Sequence, residues 1–489
     1  MFTYVVFALA AALLILTFWR LSPRGLGRRV PSSWRGNDRM LVALSLAALV
    51  SLATFLLFIF PAVRRMLFGV FTTNNATSDP DIGLIFLGVG ALLLFLGLVS
   101  DLLKRMNLSA PLLAMLLGVI AGPAVLDIVD PADWGNRQAI LETAARLTLA
   151  ISVMSAAQRL PKGYLSTRRR DWGVMLGIVM PAMWLASSLL IYLILGLRPW
   201  VALLVGAVLT PTDPVIASGI IGGELARRTI PPRLRHLLSA ESGSNDGLAF
   251  LFIFLPLAWL SSPGGQGVTF WLVNGLGRGV LLAMLVGAAL GFAAGWLLRR
   301  AVDRKTIEEP YFLASSLALT LLTLGFLRLL NSSAIVGVFV AGLVFNEFLT
   351  EREGPEAQRS IMAAEPFLTL PIFTLVGVTL PWSAWSALGW GALLLLVVAI
   401  FLLRRLPALL AVAPLLGTVE RRADALFLGS MGPIGISALF YTYVVLANGP
   451  FEEVWQVASF VIAASILIHG LSATWLSRKY HAYRIHNDC

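Results

Sequence analysis

Three carboxylates stand inside segments that otherwise carry almost no charge. Asp213 lies in Thr210-Pro211-Thr212-Asp213-Pro214, and Glu241 and Asp246 lie in Glu241-Ser242-Gly243-Ser244-Asn245-Asp246-Gly247. An Asp or Glu near the centre of a bilayer costs at least about 2.5–3.5 kcal/mol, so each needs a cation, a proton or an arginine to offset it. Asp246 is the first candidate for an ion ligand. Ser242 precedes it by four residues, which puts that hydroxyl on the same face of a helix. A hard cation such as Na⁺, with Li⁺ and K⁺ as variants, takes oxygen ligands. A carboxylate, a hydroxyl and the carbonyl of an unwound turn at Thr212 would supply them. The same carboxylate can take a proton instead, and one site that holds either H⁺ or a cation suffices for coupled exchange. The plainer alternative is an aspartate that only caps a local turn.

The neighbouring residues suggest supporting roles. Asp213, between two prolines, reads as a cap on a half-helix N-terminus, as a group acting through water, or as a direct ligand. Arg404-Arg405 falls inside the apolar run 387–415. A buried arginine needs a partner, and an ion pair with Glu241 would brace the core without touching the ion. Otherwise the two arginines mark the end of a shorter helix. Asn245 is expected to bridge the broken segments by hydrogen bonds. Arg146 sits on a polar helix face with no partner assigned.

Composition sets the elements that must position these residues. Of 489 residues, 58% are hydrophobic and 13% charged, and mean hydropathy is +0.84. Soluble domains carry about 25% charge, so the chain reads as an all-α polytopic membrane protein. The net charge of +11 does not indicate nucleic acid, because the arginines fall in short loops between apolar runs. The single Cys489 excludes a disulfide framework and a thiolate metal site. No cofactor is expected, and no Walker A, G-x-S-x-G, H-E-x-x-H or C-x-x-C signature appears.

A window of about 20 apolar residues gives spans near 3–19, 40–61, 82–101, 110–126, 138–158, 172–196, 200–222, 236–261, 268–298, 311–330, 333–350, 366–384, 387–415, 423–446 and 453–477. The first lacks a basic n-region and reads as a retained helix rather than a signal peptide. Alternate loops are arginine-rich, with Arg64-Arg65 the clearest exception, which puts the C-terminus inside and the N-terminus outside a cell membrane. The span 200–222 is broken by Pro211 and Pro214, and the span 423–446 by Gly432-Pro433-Ile434-Gly435, about 220 residues later. The same offset relates 82–101, 110–126, 172–196 and 236–261 to partners seven helices on. That gives inverted repeats at 82–267 and 299–477 around a linker helix at 268–298, with two extra helices in 1–81 and a tail at 478–489. Paired broken helices in inverted repeats point to a midplane site in secondary transporters, since unwound backbone at membrane depth must be buried in protein or line a wet cavity. Elsewhere, His469 reads as a packed histidine. Trp382, Trp385 and Trp390 read as an interfacial belt, and the glycine run Gly275 to Gly295 as a close helix-packing face or dimer surface.

Thr-Asp-Pro followed some thirty residues later by Glu-Ser-x-x-Asn-Asp-Gly resembles the monovalent cation/proton antiporters, the sodium/proton exchanger superfamily. Leu238 to Gly247, Gly432-Pro433-Ile434-Gly435, Leu160-Pro161-Lys162 and Arg404-Arg405-Leu406-Pro407 look most like the branch that includes the fungal plasma-membrane alkali-cation/proton antiporters. The resemblance covers about residues 82–477. It implies thirteen core helices with two crossing broken ones, a homodimer in membrane lipid, and a core domain that moves against a dimerisation domain. It implies that Asp246 binds the cation or proton with Ser242, Asp213 and the Thr212 carbonyl assisting. It also implies that Glu241 pairs with an arginine of the eleventh core helix, Arg405 in preference to Arg404. Two departures leave ion selectivity open: Ile434 stands where many relatives carry an arginine, and Met154-Ser155-Ala156-Ala157 where some carry a glutamate. Antiport of Na⁺ (or Li⁺, K⁺) for H⁺ is the expectation; the rivals are a cation channel and an intramembrane aspartyl enzyme using Asp213 and Asp246.

Overall fold

A computed structural model describes residues 80–106, 108–213, 215–216, 224–261 and 265–488. The two extra helices expected in 1–81 and the helix-breaking Pro214 lie outside the described residues, apart from the first turn of the helix that begins at Pro80. Among the described residues, eight helices are long and apolar enough to cross a membrane, and five shorter apolar helices stand among them. We label the helices used below in chain order: α1 Pro80–Leu98, α2 Ala110–Ala121, α3 Arg137–Gln158, α4 Arg169–Leu195, α5 Pro199–Val208, α6 Glu224–Thr229, α7 Pro232–Ser261 and α8 Gly265–Asp303. They continue with α9 Glu309–Leu329, α10 Ala334–Phe348, α11 Glu353–Val378, α12 Trp390–Leu403, α13 Arg422–Ser430, α14 Ile436–Leu446 and α15 Glu452–Asp488.

Every span expected within the described residues has a helix. Several boundaries differ. α7 starts at Pro232, so Asp246 lies about four turns into its helix rather than two to three. α11 starts at Glu353, well before the apolar run that announces it. The expected tail at 478–489 is a continuation of α15 as far as Asp488.

Packing repeats between the halves. α2 lies against α11 and α10 against α3; α5 lies against α7 and α14 against α15. The glycine run of α8 packs inside the chain, as the helix-packing reading expects. A Cβ on Gly287 or Gly291 would run into the backbone of Gly337 or Ala341 in α10, and one on Gly295 into the Phe348 ring. Small residues here let two backbones approach closely. The belt reading is corrected at Trp385. Trp385 is buried, donates its indole N–H to the Gln456 carbonyl at 3.0 Å, and packs edge-on against Trp382, Trp390 and Phe460. It is an internal packing group, not part of a belt. Large apolar side chains such as Leu94, Leu193, Leu285 and Val398 face outward, as a lipid-facing surface requires.

One end of the bundle is closed by a polar network. Asp171 accepts the N–H groups of Gly417 (2.9 Å) and Thr418 (2.8 Å). Asp424, in the first turn of α13, accepts from Arg233 of α7 (2.9 Å) and from the Tyr480 hydroxyl of α15 (2.6 Å).

Candidate functional site

The two broken helices meet at their breaks. α5 stops at Val208, and helical geometry resumes at 215–216; α13 stops at Ser430 and α14 begins at Ile436. Across the gap the Asp213 N–H donates to the Pro433 carbonyl at 2.9 Å. A broken helix presents N–H groups at one new end and carbonyls at the other, with partial charges of about half a unit each. Here a single carboxylate serves both positive ends. Asp213 Oδ1 accepts from the N–H of Val215 (2.7 Å) and Ile216 (3.3 Å), and its Oδ2 accepts from Ile436 N–H at the start of α14. A single guanidinium serves both negative ends. Arg404 donates to the carbonyls of Leu209 and Thr210 after α5, and to the Gly432 carbonyl after α13 at 2.6 Å.

The glycines of the second break follow from this. A Cβ on Gly432 would lie 2.6 Å from Arg405 Cδ, and one on Gly435 would collide with the Asp213 carboxylate. Gly-Pro-Ile-Gly thus makes room for an arginine on one side and an aspartate on the other. Ile434 is buried and its N–H donates to Ser465 Oγ at 2.7 Å.

α7 carries the remaining residues. Asn245 clamps the first break: its Nδ2 donates to Thr212 Oγ1 (2.8 Å), and its Oδ1 accepts the Thr212 N–H (3.2 Å). Glu241 faces the other way and takes both terminal nitrogens of Arg405, with Nη2 to Oε2 at 2.6 Å. Arg405 Nε also donates to the Leu428 carbonyl at 2.9 Å, tying α13 to the pair. Both arginines are buried at the bend after α12, so they do not mark an exposed end of a shorter helix. Ser242 donates to the Leu238 carbonyl at 2.8 Å, which leaves its oxygen lone pairs facing outward from the helix. Arg146, which had no assigned partner, pairs with Glu142 and stacks 4.9 Å over the Phe440 ring.

Asp246 differs from every other acid in this group. Its side chain is 0% exposed, and neither carboxylate oxygen has a hydrogen bond among the described residues. The adjoining face of α14 adds two residues that the sequence had not marked. Tyr441 donates its hydroxyl to the Asp246 backbone carbonyl, and Ser437, one turn earlier, keeps a buried hydroxyl with no partner. Their four-residue spacing directly after Gly-Pro-Ile-Gly was the available signal. α10 presses on the same stretch, where a Cβ on Gly247 would meet the Val336 backbone at 2.8 Å.

The family profile described as "Sodium/hydrogen exchanger, transmembrane" matches residues 90–479, which contain every residue of the site. This chain belongs to the sodium/hydrogen exchanger family. With eight helices among the described residues long and apolar enough to span, this exchanger-family chain is a multi-pass membrane protein. It is 30% identical over 419 residues to Na(+)/H(+) antiporter 2 of Zygosaccharomyces rouxii, with 78% of this chain and 51% of that protein covered. It is 29% identical to the Na(+)/H(+) antiporter of Schizosaccharomyces pombe, over 76% of this chain and 84% of that protein. The chain thus spans about half the length of the first relative. Its fold matches the sodium proton antiporter MjNhaP1 from Methanocaldococcus jannaschii with a TM-score of 0.60 at 19% identity, over 81% of this chain and 99% of that one.

Proposed function

We propose that this chain is a secondary active antiporter that exchanges Na⁺, with Li⁺ or K⁺ as alternatives, for H⁺ across a cell membrane. The observation that carries the reading is Asp246: a fully buried carboxylate with no hydrogen bond among the described residues, next to two crossing helix breaks. A charged carboxylate left alone in a low-dielectric interior costs several kcal/mol. A cation or a proton removes that cost, and one group cannot hold both. Ser242 and the Thr212 carbonyl are the oxygens that would complete a cation shell around Asp246. Asp213, already accepting from three amides, acts in this reading as the cap of both half-helices rather than as a direct ligand. Arg404 and the Glu241–Arg405 pair hold the breaks and stay off the ion's path. The names of the relatives and the family support the same exchange. A homodimer in lipid, a core moving against a dimerisation surface, and a C-terminus on the cytoplasmic side complete the proposal.

The test is Asp246→Asn in proteoliposomes under an imposed pH gradient. Loss of Na⁺-dependent proton flux supports antiport at this residue. Retained flux contradicts it, and current that follows voltage without proton counterflow would indicate a channel.

A further inference from the structure

Another buried acid with an unpartnered oxygen stands on α11. Glu365, in the middle of α11, is 9% exposed, and its Oε1 has no hydrogen-bond partner among the described residues. Its neighbours are Ser155 and Ser152 of α3 and Arg159 at the C-cap of that helix. That group is only partly joined: Arg159 Nη1 donates to Ser155 Oγ at 3.3 Å, whereas Arg159 Nε and Nη2 and Ser152 Oγ have no partner. Thr369, one turn further along α11, also keeps a buried hydroxyl unpartnered. Buried polar groups are normally satisfied. A row of orphaned donors and acceptors between two helices is therefore a place for water and mobile protons rather than a sealed core.

The row begins at a cavity and ends towards Asp213 at the first break. The cavity, of about 180 Å³, is lined by Arg159, Arg227, Arg235, Ser239, Gln358 and Met362. Gln358, Met362, Glu365 and Thr369 recur at helical spacing, so one face of α11 runs from the cavity to the acid and past it. Pro366 removes the N–H that the Met362 carbonyl would use, adding a free acceptor at the cavity's inner edge. On α7 the same periodicity takes Ser239, in the cavity wall, to Ser242 and Asp246. The charged and titratable groups that face this passage are Arg159 at the C-cap of α3, Asp213 at the break, and Arg227, Arg235 and His236 around the cavity.

We propose that Glu365 is a proton-carrying acid in a passage between the arginine-lined cavity and Asp246. This rests on the antiport reading and adds the route. Protons reach Asp246 by way of Glu365, with Arg159 holding the acid when it is charged. A cation is repelled by Arg159 and does not stop there.

The experiment compares wild type, Glu365→Gln, Glu365→Asp and Asp246→Asn in proteoliposomes, recording exchange rate against Na⁺ and against pH on each side. In Glu365→Gln, the Na⁺ concentration for half-maximal rate should stay within about twofold. The rate at saturating Na⁺ should fall about ten- to a hundredfold and lose its pH dependence on the cavity side. Glu365→Asp should recover most of the rate with a displaced pH profile. A Glu365→Gln protein with the wild-type rate and pH profile overturns the inference while leaving the antiport reading intact. So does a loss shared by both Glu365 variants with the pH profile unchanged, since that marks a structural role. Should Glu365→Gln fail to fold, the pH profile of Glu365→Asp decides: displaced supports the relay, unmoved contradicts it. Exchange that survives Asp246→Asn overturns both readings.

Discussion

At the residue scale, the five charged groups around the breaks do different work. Glu241 and Arg405 satisfy each other in full. Removing one partner of a buried pair costs about 3–5 kcal/mol, because the other charge is left stranded. Glu241→Ala and Arg405→Ala should each lower the thermal unfolding temperature in detergent sharply. The double variant should lose much less than the sum; additive losses would mean that the pair does not couple. Asp213→Ala should behave as a lost cap. At about 0.5–2 kcal/mol for each helix start, it should slow exchange yet leave Na⁺ binding measurable, whereas Asp246→Asn should abolish binding. This division was only partly legible. The types and spacing of Glu241, Ser242, Asn245 and Asp246 pointed to one helix face, and the Arg404-Arg405 pair announced a buried partner. That one aspartate caps two half-helices, and that Arg404 bridges carbonyls of both breaks, depends on how two distant segments cross.

At the element scale, the breaks are held by what glycine leaves open. Gly435→Ala would drive a methyl into the Asp213 carboxylate. It should uncap α14 and reduce exchange at least as much as Asp213→Ala does, with little added loss when the two are combined. Independent losses would place the two residues in different structures. Hydropathy located the helices well because a bilayer demands about 20 apolar residues whatever the fold. It failed where a helix begins polar: the first half of α11 carries charge, so the expected span started one residue after Glu365 and that acid went unnoticed. It failed again at Trp385, and at the α8 glycines it left two readings open. Composition does not say whether a tryptophan meets lipid or an indole-binding carbonyl, nor whether a smooth helix face meets a neighbour or a second copy.

At the scale of the whole molecule, the core is a set of helices packed in two equivalent arrangements around Asp246, whose carboxylate has no hydrogen bond among the described residues. If Na⁺ and H⁺ compete for that acid, Na⁺ above its half-saturating level should move the pH of half-maximal exchange downward by about one unit per tenfold. A midpoint insensitive to Na⁺ would mean separate sites. The most direct measurement is calorimetric titration of the purified protein with NaCl in buffers of different ionisation enthalpy. It counts the protons released per Na⁺ bound. Wild type should release close to one proton for each Na⁺ at pH values where Asp246 is protonated, and Asp246→Asn should show neither binding nor release. Sodium binding without proton release, or unchanged binding in Asp246→Asn, would contradict a single carboxylate shared by the two ions.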